Sequence, residues 1–304
     1  MTNEEILCKL RQDIRLRGLS SATEEEYLMA ANTFIKFYDN QPIFNMTEQE
    51  IRNYLIYLLE VKKLSPASIN NRNSGLRFLF GFTLERNLNY RAIPRQKIVR
   101  KLPDIMTVQE IQSLFDSCGN LRDKAILMTI YGGGLRLSEV CHLRGQDIYA
   151  SSMRIKVCHG KGGKDRFTLL SQKNLEVLTE YWYAYKPKHP DGYLFLTKQG
   201  NPMSWRTVQD LFHKARAKAG ITKHVSVHTL RHDFATHLLQ SGTDVCRIKQ
   251  LLGHTHIQST TFYLHLLDFD DDLVSPLDFM ESKKKCGRPK GSKNNKTSGG
   301  NTNA

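Results

Sequence analysis

Between Tyr90 and Asp104 runs the stretch Arg91-Ala92-Ile93-Pro94-Arg95-Gln96-Lys97-Ile98-Val99-Arg100-Lys101-Leu102-Pro103, which has two prolines, no acidic residue and no helical period. Proline removes a backbone donor and biases the residue before it away from the helix, so regular structure does not run through such a segment. Residues 91–103 therefore read as an interdomain linker. A chain of 304 residues has room for a core on each side of it. Residues 1–90 read as a small domain of four helices, with starts at the capping boxes Ser21-x-x-Glu24 and Thr47-x-x-Glu50 and at Ser65-Pro66. Apolar residues recur there at helical spacing, as in Ile51, Tyr54, Leu55, Leu58 and Leu59.

Downstream, Thr107-x-x-Glu110 opens a second domain, followed by helices near 121–131 and 136–143. Alternation takes over in Met153-Arg154-Ile155-Lys156-Val157 and Arg166-Phe167-Thr168-Leu169, which flank Gly160-Lys161-Gly162-Gly163 and predict a β-hairpin. Helices resume near 171–185, 204–219, 229–241, 244–252 and 257–266. The expected fold is mainly α with a small antiparallel β-sheet (α+β), with the second domain spanning 104–281. Residues 282–304, rich in Lys, Asn, Gly and Ser, are too polar to fold alone and read as a basic disordered tail.

The net charge of +14 is unevenly placed. Residues 1–100 carry 15 basic against 11 acidic residues, 101–281 carry 22 against 19, and 282–304 carry seven and none. Half the excess thus lies in the tail, and the folded parts are only mildly basic. Residues 65–100 hold Arg72, Arg77, Arg86, Arg91, Arg95, Lys97 and Arg100 against Glu85 alone, which makes them the better surface for a phosphate backbone. In the tail, Gly287-Arg288-Pro289 resembles an AT-hook, whose arginine lies in narrow A·T minor grooves, although Cys286 stands where a basic residue is usual. The six cysteines are scattered without a CxxC pair, so neither a disulfide framework nor a zinc site is expected. No apolar run reaches the roughly 20 residues of a membrane span, and the first residues lack the order of a signal peptide; a cytoplasmic protein is expected.

Five motifs occur in order: Gly134-Leu135-Arg136-x-Ser138-Glu139, Gly160-Lys161-Gly162, His228-x-Leu230-Arg231-His232, Leu252-Gly253-His254, and Tyr263 nine residues after His254. In these the second domain resembles the catalytic domain of the tyrosine recombinases, the phage integrases and Xer-type enzymes, over roughly 104–270, with weaker likeness in the helical N-terminal region. The resemblance implies a two-domain DNA clamp with a helical core-binding (SAM-like) domain at 1–90. It implies site-specific cutting and rejoining of double-stranded DNA, for a mobile element or chromosome resolution, through a 3′-phosphotyrosyl link without a metal or other cofactor. It also implies a tetramer on two DNA sites, with the C-terminal segment exchanged between protomers, working in the cytoplasm at the nucleoid.

The residue chemistry agrees with these roles. A phosphodiester resists attack because its nonbridging oxygens are already negative. Arg136 and Arg231 never deprotonate and can fork onto two oxygens. His228, one helical turn before Arg231, is the expected base for Tyr263, whose phenol is almost wholly neutral at pH 7. His254 is expected to bond the phosphate or the incoming oxygen. The family places its leaving-group acid at Lys161, with Lys164 a near competitor. Glu139 is expected to orient an arginine rather than to act as an acid. Arg72, Arg77, Arg95, Lys97, Arg100, Lys164, Arg166 and Arg288 are the expected DNA contacts. Two other readings stand beside this one: relaxation of supercoils in the manner of a type IB topoisomerase, and a DNA-binding relative without turnover.

Overall fold

The computed structural model describes residues 1–98, 104–158 and 165–253. The chain divides into two compact units, Met1–Lys101 and Leu102–Ala304. The expected hairpin tip at 159–164 and everything from 254 onward, including the expected helix 257–266 and the tail, lie outside the described residues.

The first unit contains α1 (Asn3–Leu16), α2 (Ser21–Phe37), α3 (Glu48–Glu60) and α4 (Pro66–Phe78), the last continuing into a π turn over Leu79–Thr83. Thr47 caps α3 through its box with Glu50, and Ser65 caps α4 ahead of Pro66. The start of α2 differs from expectation. Ser20 is the cap and accepts from the Thr23 amide, because Glu24 is drawn away to the Arg15 guanidinium of α1 at 2.9 and 3.0 Å. In the core, Phe34 meets Tyr54 and Phe80 edge-on, and the Tyr54 hydroxyl donates to Thr33.

Residues 93–96 of the expected linker lie along α4. The amide side chain of Asn70 pairs with both backbone groups of Gln96 at 2.8 and 2.9 Å. Buried Asn73 donates to the carbonyls of Ile93 and Pro94, Arg77 donates to Ile93, and Ile93 itself is fully buried. Pro94 leaves neighbouring carbonyls without ladder partners, and polar side chains of α4 supply them.

The second unit is built on α6 (Leu121–Gly133), packed by α5 (Val108–Asp116), α8 (Gln172–Tyr185), α9 (Trp205–Lys218) and α10 (Val227–Gln240). Short α7 (Leu137–Cys141) follows α6, and α11 (Val245–Leu252) packs on α10 and the sheet. The sheet is antiparallel in the order β1 (Ile148–Tyr149), β2 (Arg154–Val157), β3 (Arg166–Leu169), with Ile155 opposite Thr168 and Val157 opposite Arg166. Strand β1, only two residues long, had no sequence signal.

In β3 the usual alternation is inverted. Phe167 and Leu169 are exposed, whereas Thr168 is buried and the Arg166 side chain keeps 9% of its surface. Both inward polar groups have partners: Thr168 Oγ1 donates to the Gly133 carbonyl at 2.7 Å, and Arg166 meets Glu139. On the outer face Phe167 stacks edge-on with Tyr149.

Asp104, Ile105 and Met106, where the second unit begins, are tied down by backbone bonds: His224 amide to Asp104, Lys223 Nζ to the Ile105 carbonyl, and the Met106 amide to Asp233 Oδ1. Asp233 is fully buried on α10, and its Oδ2 has no hydrogen-bond partner among the described residues. Burial pushes its carboxyl up to about 7, against the opposing pull of the Met106 amide and Lys223, with Glu110 adding to the rise. The folded state thus holds this proton more tightly than the unfolded chain, whose aspartates titrate near 4. Stability contributed by protonated Asp233 is present below about pH 4 and is lost as pH rises through about 7. In urea unfolding across this range, the stability of the wild type relative to Asp233→Asn will fall by an amount of order 1–4 kcal/mol. An unchanged slope in the variant would refute the assignment.

Candidate active site

Gly134 sets the site's geometry. It closes α6 in the left-handed conformation, φ 60°, and a Cβ there would lie 2.4 Å from the Phe234 ring of α10. Only glycine lets the chain turn this tightly against α10, and the turn delivers Arg136 as the cap of α7. Glu139, three residues on, accepts the Arg136 amide at 2.7 Å and Arg136 Nη1 at 2.7 Å.

That carboxylate is the hub of the site. Its side chain is 4% exposed, and Arg166 forks onto both its oxygens at 2.7 Å each, while Arg231 Nη1 stands 3.7 Å away. Burial alone would raise the carboxyl's pKa. The hydrogen bonds and charge of Arg166, with the amide and charge of Arg136, outweigh it and bring the group down to about 2. Among the described residues, three guanidiniums around one carboxylate leave a net positive centre.

The same arginines hold the end of α11. Arg166 Nε donates to Leu251 O at 2.8 Å, Arg231 Nη2 to Leu252 O at 2.6 Å, and Arg136 Nη2 reaches Gly253 O at 3.4 Å. These are three of the carbonyls that a helix leaves without intrahelical partners, at its negative end. Arg231 Nη1 also donates to Gly134 O at 2.6 Å, so α10, the α6 turn and α11 are pinned to one side chain. Gly253 ends α11 at φ 64°, and a Cβ there would fall 2.7 Å from Arg166 Cδ.

His228 lies one turn before Arg231 on α10. Although the residue is exposed overall, partial desolvation and the charges of Arg231 and Arg136 hold its imidazole below the usual range, so it is neutral at pH 7 and able to take a proton. His232 is lowered likewise by burial, His228 and Arg231. The structure thus brings together Arg136, His228 and Arg231 of the expected catalytic set. Lys161, His254 and Tyr263 lie outside the described residues, as do Arg100, Lys164 and Arg288 among the expected DNA contacts.

Arg166, an expected DNA contact, is placed instead in the buried pair with Glu139. The inverted β3 is the reason, since an arginine opposite buried Val157 faces inward with its strand. In the first unit, Arg95 and Lys97 are exposed, with Arg95 bonded to Ser74. Arg72 is partly buried against Met29, and Arg77 is held by Asn73, Ile93 and the ring of Tyr90, 4.7 Å away.

Residues 104–269 match the family model described as Phage integrase family, and residues 6–90 match the one described as Phage integrase, N-terminal SAM-like domain. A protein of Sinorhizobium fredii, y4qK, is 37% identical over 271 residues, covering 87% of each chain. The tyrosine recombinase of Pseudothermotoga lettingae is 35% identical over 263 residues, covering 84% of this chain and 91% of that one. In fold, a lambda integrase (residues 75–356) dimer bound to a COC′ core site matches with TM-score 0.70 at 19% identity, over 85% of this chain and 97% of that one.

With Glu139 removed, three buried or half-buried cations lose their common counter-charge. Glu139→Ala is expected to cost about 3–5 kcal/mol in urea unfolding at pH 7, and a loss below ~1 kcal/mol would show that the carboxylate is not the hub.

Proposed function

The chain belongs to the phage integrase family, and on that premise we propose that it is a site-specific recombinase that cuts and rejoins double-stranded DNA. The observation that carries the reading is the convergence of Arg136, Arg231 and neutral His228 around a net positive centre. Such a centre suits the extra negative charge a phosphodiester gains as a nucleophile approaches.

Tyr263 Oη attacks the scissile phosphorus while His228 takes the phenolic proton. The bond from phosphorus to the 5′ oxygen breaks, Lys161 supplies the proton to that oxygen, and His254 bonds the phosphate. The product is a 3′-phosphotyrosyl link and a free 5′-hydroxyl. Attack by a partner strand's 5′-hydroxyl reverses the step and restores Tyr263. The energy of the broken bond is retained in the link, so no nucleotide is consumed, and the arginines supply the charge neutralisation that a metal ion would otherwise give.

In this reading residues 1–90 form the core-binding domain, 91–103 the linker, 104–281 the catalytic domain and 282–304 a basic, AT-hook-like tail. Arg95 and Lys97 face DNA phosphates. Four protomers act on two sites and exchange their C-terminal segments, in the cytoplasm at the nucleoid. No described helix is long and apolar enough to cross a membrane.

The test is covalent capture. Full-length protein is mixed in EDTA with 5′-labelled duplexes enriched from a random-duplex pool by rounds of binding to the protein and carrying nicks that trap cleaved ends, and adducts are resolved on a denaturing gel. The wild type is expected to give a labelled adduct, Tyr263→Phe none, and Arg231→Ala one slowed by about 10²–10³-fold. Wild-type protein without an adduct, or Tyr263→Phe with one, would overturn the reading.

A further inference from the structure

One buried arginine outside the expected catalytic set ties β3 to both α7 and the end of α11. Arg166 leaves β3 on its inward face, forks onto both oxygens of Glu139 on α7, and donates from Nε to the Leu251 carbonyl on α11. Its aliphatic stem fills the space left by the missing side chain at Gly253. Glu139 in turn holds Arg136 through both amide and guanidinium, and Arg136 reaches Gly253 O beside the Arg166 stem. The rotamer of Glu139, and with it the aim of Arg136, is therefore set by Arg166.

We propose, resting on the reading of the chain as a strand-cleaving enzyme, that Arg166 is a positioning residue. It does not contact DNA, but it fixes Glu139 so that the Arg136 guanidinium faces the scissile phosphate, and it locks the last turn of α11 into the same frame. Lysine cannot replace it. A single ammonium does not fork across a carboxylate while a second nitrogen on the same stem reaches a carbonyl. A positioning error of about an ångström at a reacting group costs roughly 10²-fold in rate without a change in what is bound.

The test measures three quantities on full-length protein: the single-turnover rate of adduct formation on the enriched duplexes, affinity for those duplexes with its salt dependence, and the unfolding temperature. The variants are Arg166→Lys, Glu139→Gln, and Arg166→Met combined with Glu139→Gln, which removes both charges of the pair; rates are compared well below each variant's own unfolding temperature. Arg166→Lys is expected to slow adduct formation by roughly 10–100-fold and to keep affinity within about two-fold. The combined variant is expected to be slowed by much less than the product of separate losses, because the two residues act as one unit.

Four results would overturn the inference. One is wild-type cleavage by Arg166→Lys. A second is lost affinity with a salt slope smaller by about one, the mark of a direct phosphate contact. A third is a rate deficit that vanishes well below the unfolding temperature, which would mark stability alone. Wild-type protein that forms no adduct would remove the underlying reading and the inference with it.

Discussion

The buried carboxylate of Glu139 is the interaction on which the second unit's site depends. Arg136, Arg166 and Arg231 all approach it, and none of these cations could be brought inside the unit without a counter-charge. Once gathered, the guanidiniums have more donors than one carboxylate can use. The surplus goes to the carbonyls at the α6 turn and at the end of α11. One acid thereby organises a strand, two helix ends and a glycine turn. The cluster stays net positive, and that remainder is what a phosphodiester can use.

This arrangement explains how a chain with weakly basic folded parts can act on DNA. The excess of basic residues is concentrated in 65–100 and in 282–304, away from the cluster in sequence. Holding a phosphodiester in place and stabilising its reaction are thus separable tasks. The first needs many exposed cations, of which Arg95 and Lys97 are examples. The second needs a few cations at fixed distances with water partly excluded. Partial desolvation and then the same few charges lower the His228 pKa, so the charge that suits the phosphate helps to prepare the base.

Much of this was legible in the sequence. The capping boxes at Thr47 and Thr107 and the Ser65-Pro66 start are local signals, and local chemistry decides them. Glu139 was readable as a residue that orients arginine because it stands at the third position after Arg136. The misses have a common cause, since each depended on a partner distant in sequence. Ser21 was displaced as a cap because Glu24 found Arg15. Arg166 looked like a surface residue because period-2 alternation says nothing about a carboxylate 27 residues away. Asp233 carried no local mark of burial, and the side chains that hold 93–96 on α4 were hidden as asparagines of a helix that reads simply as polar. The thin signal for Arg166 was its strand, in which the apolar Phe167 and Leu169 occupy the face opposite to Ile155 and Val157.

The central claim is that the arginines held by Glu139 act by neutralising the phosphate. It is tested most directly by replacing the scissile phosphate, at the position mapped from the captured adduct, with a methylphosphonate, which has one fewer negative charge. If charge neutralisation is their task, Arg136→Ala and Arg231→Ala will cleave the neutral linkage much closer to the wild-type rate than they cleave the natural one. An equal deficit on both linkages would contradict the account.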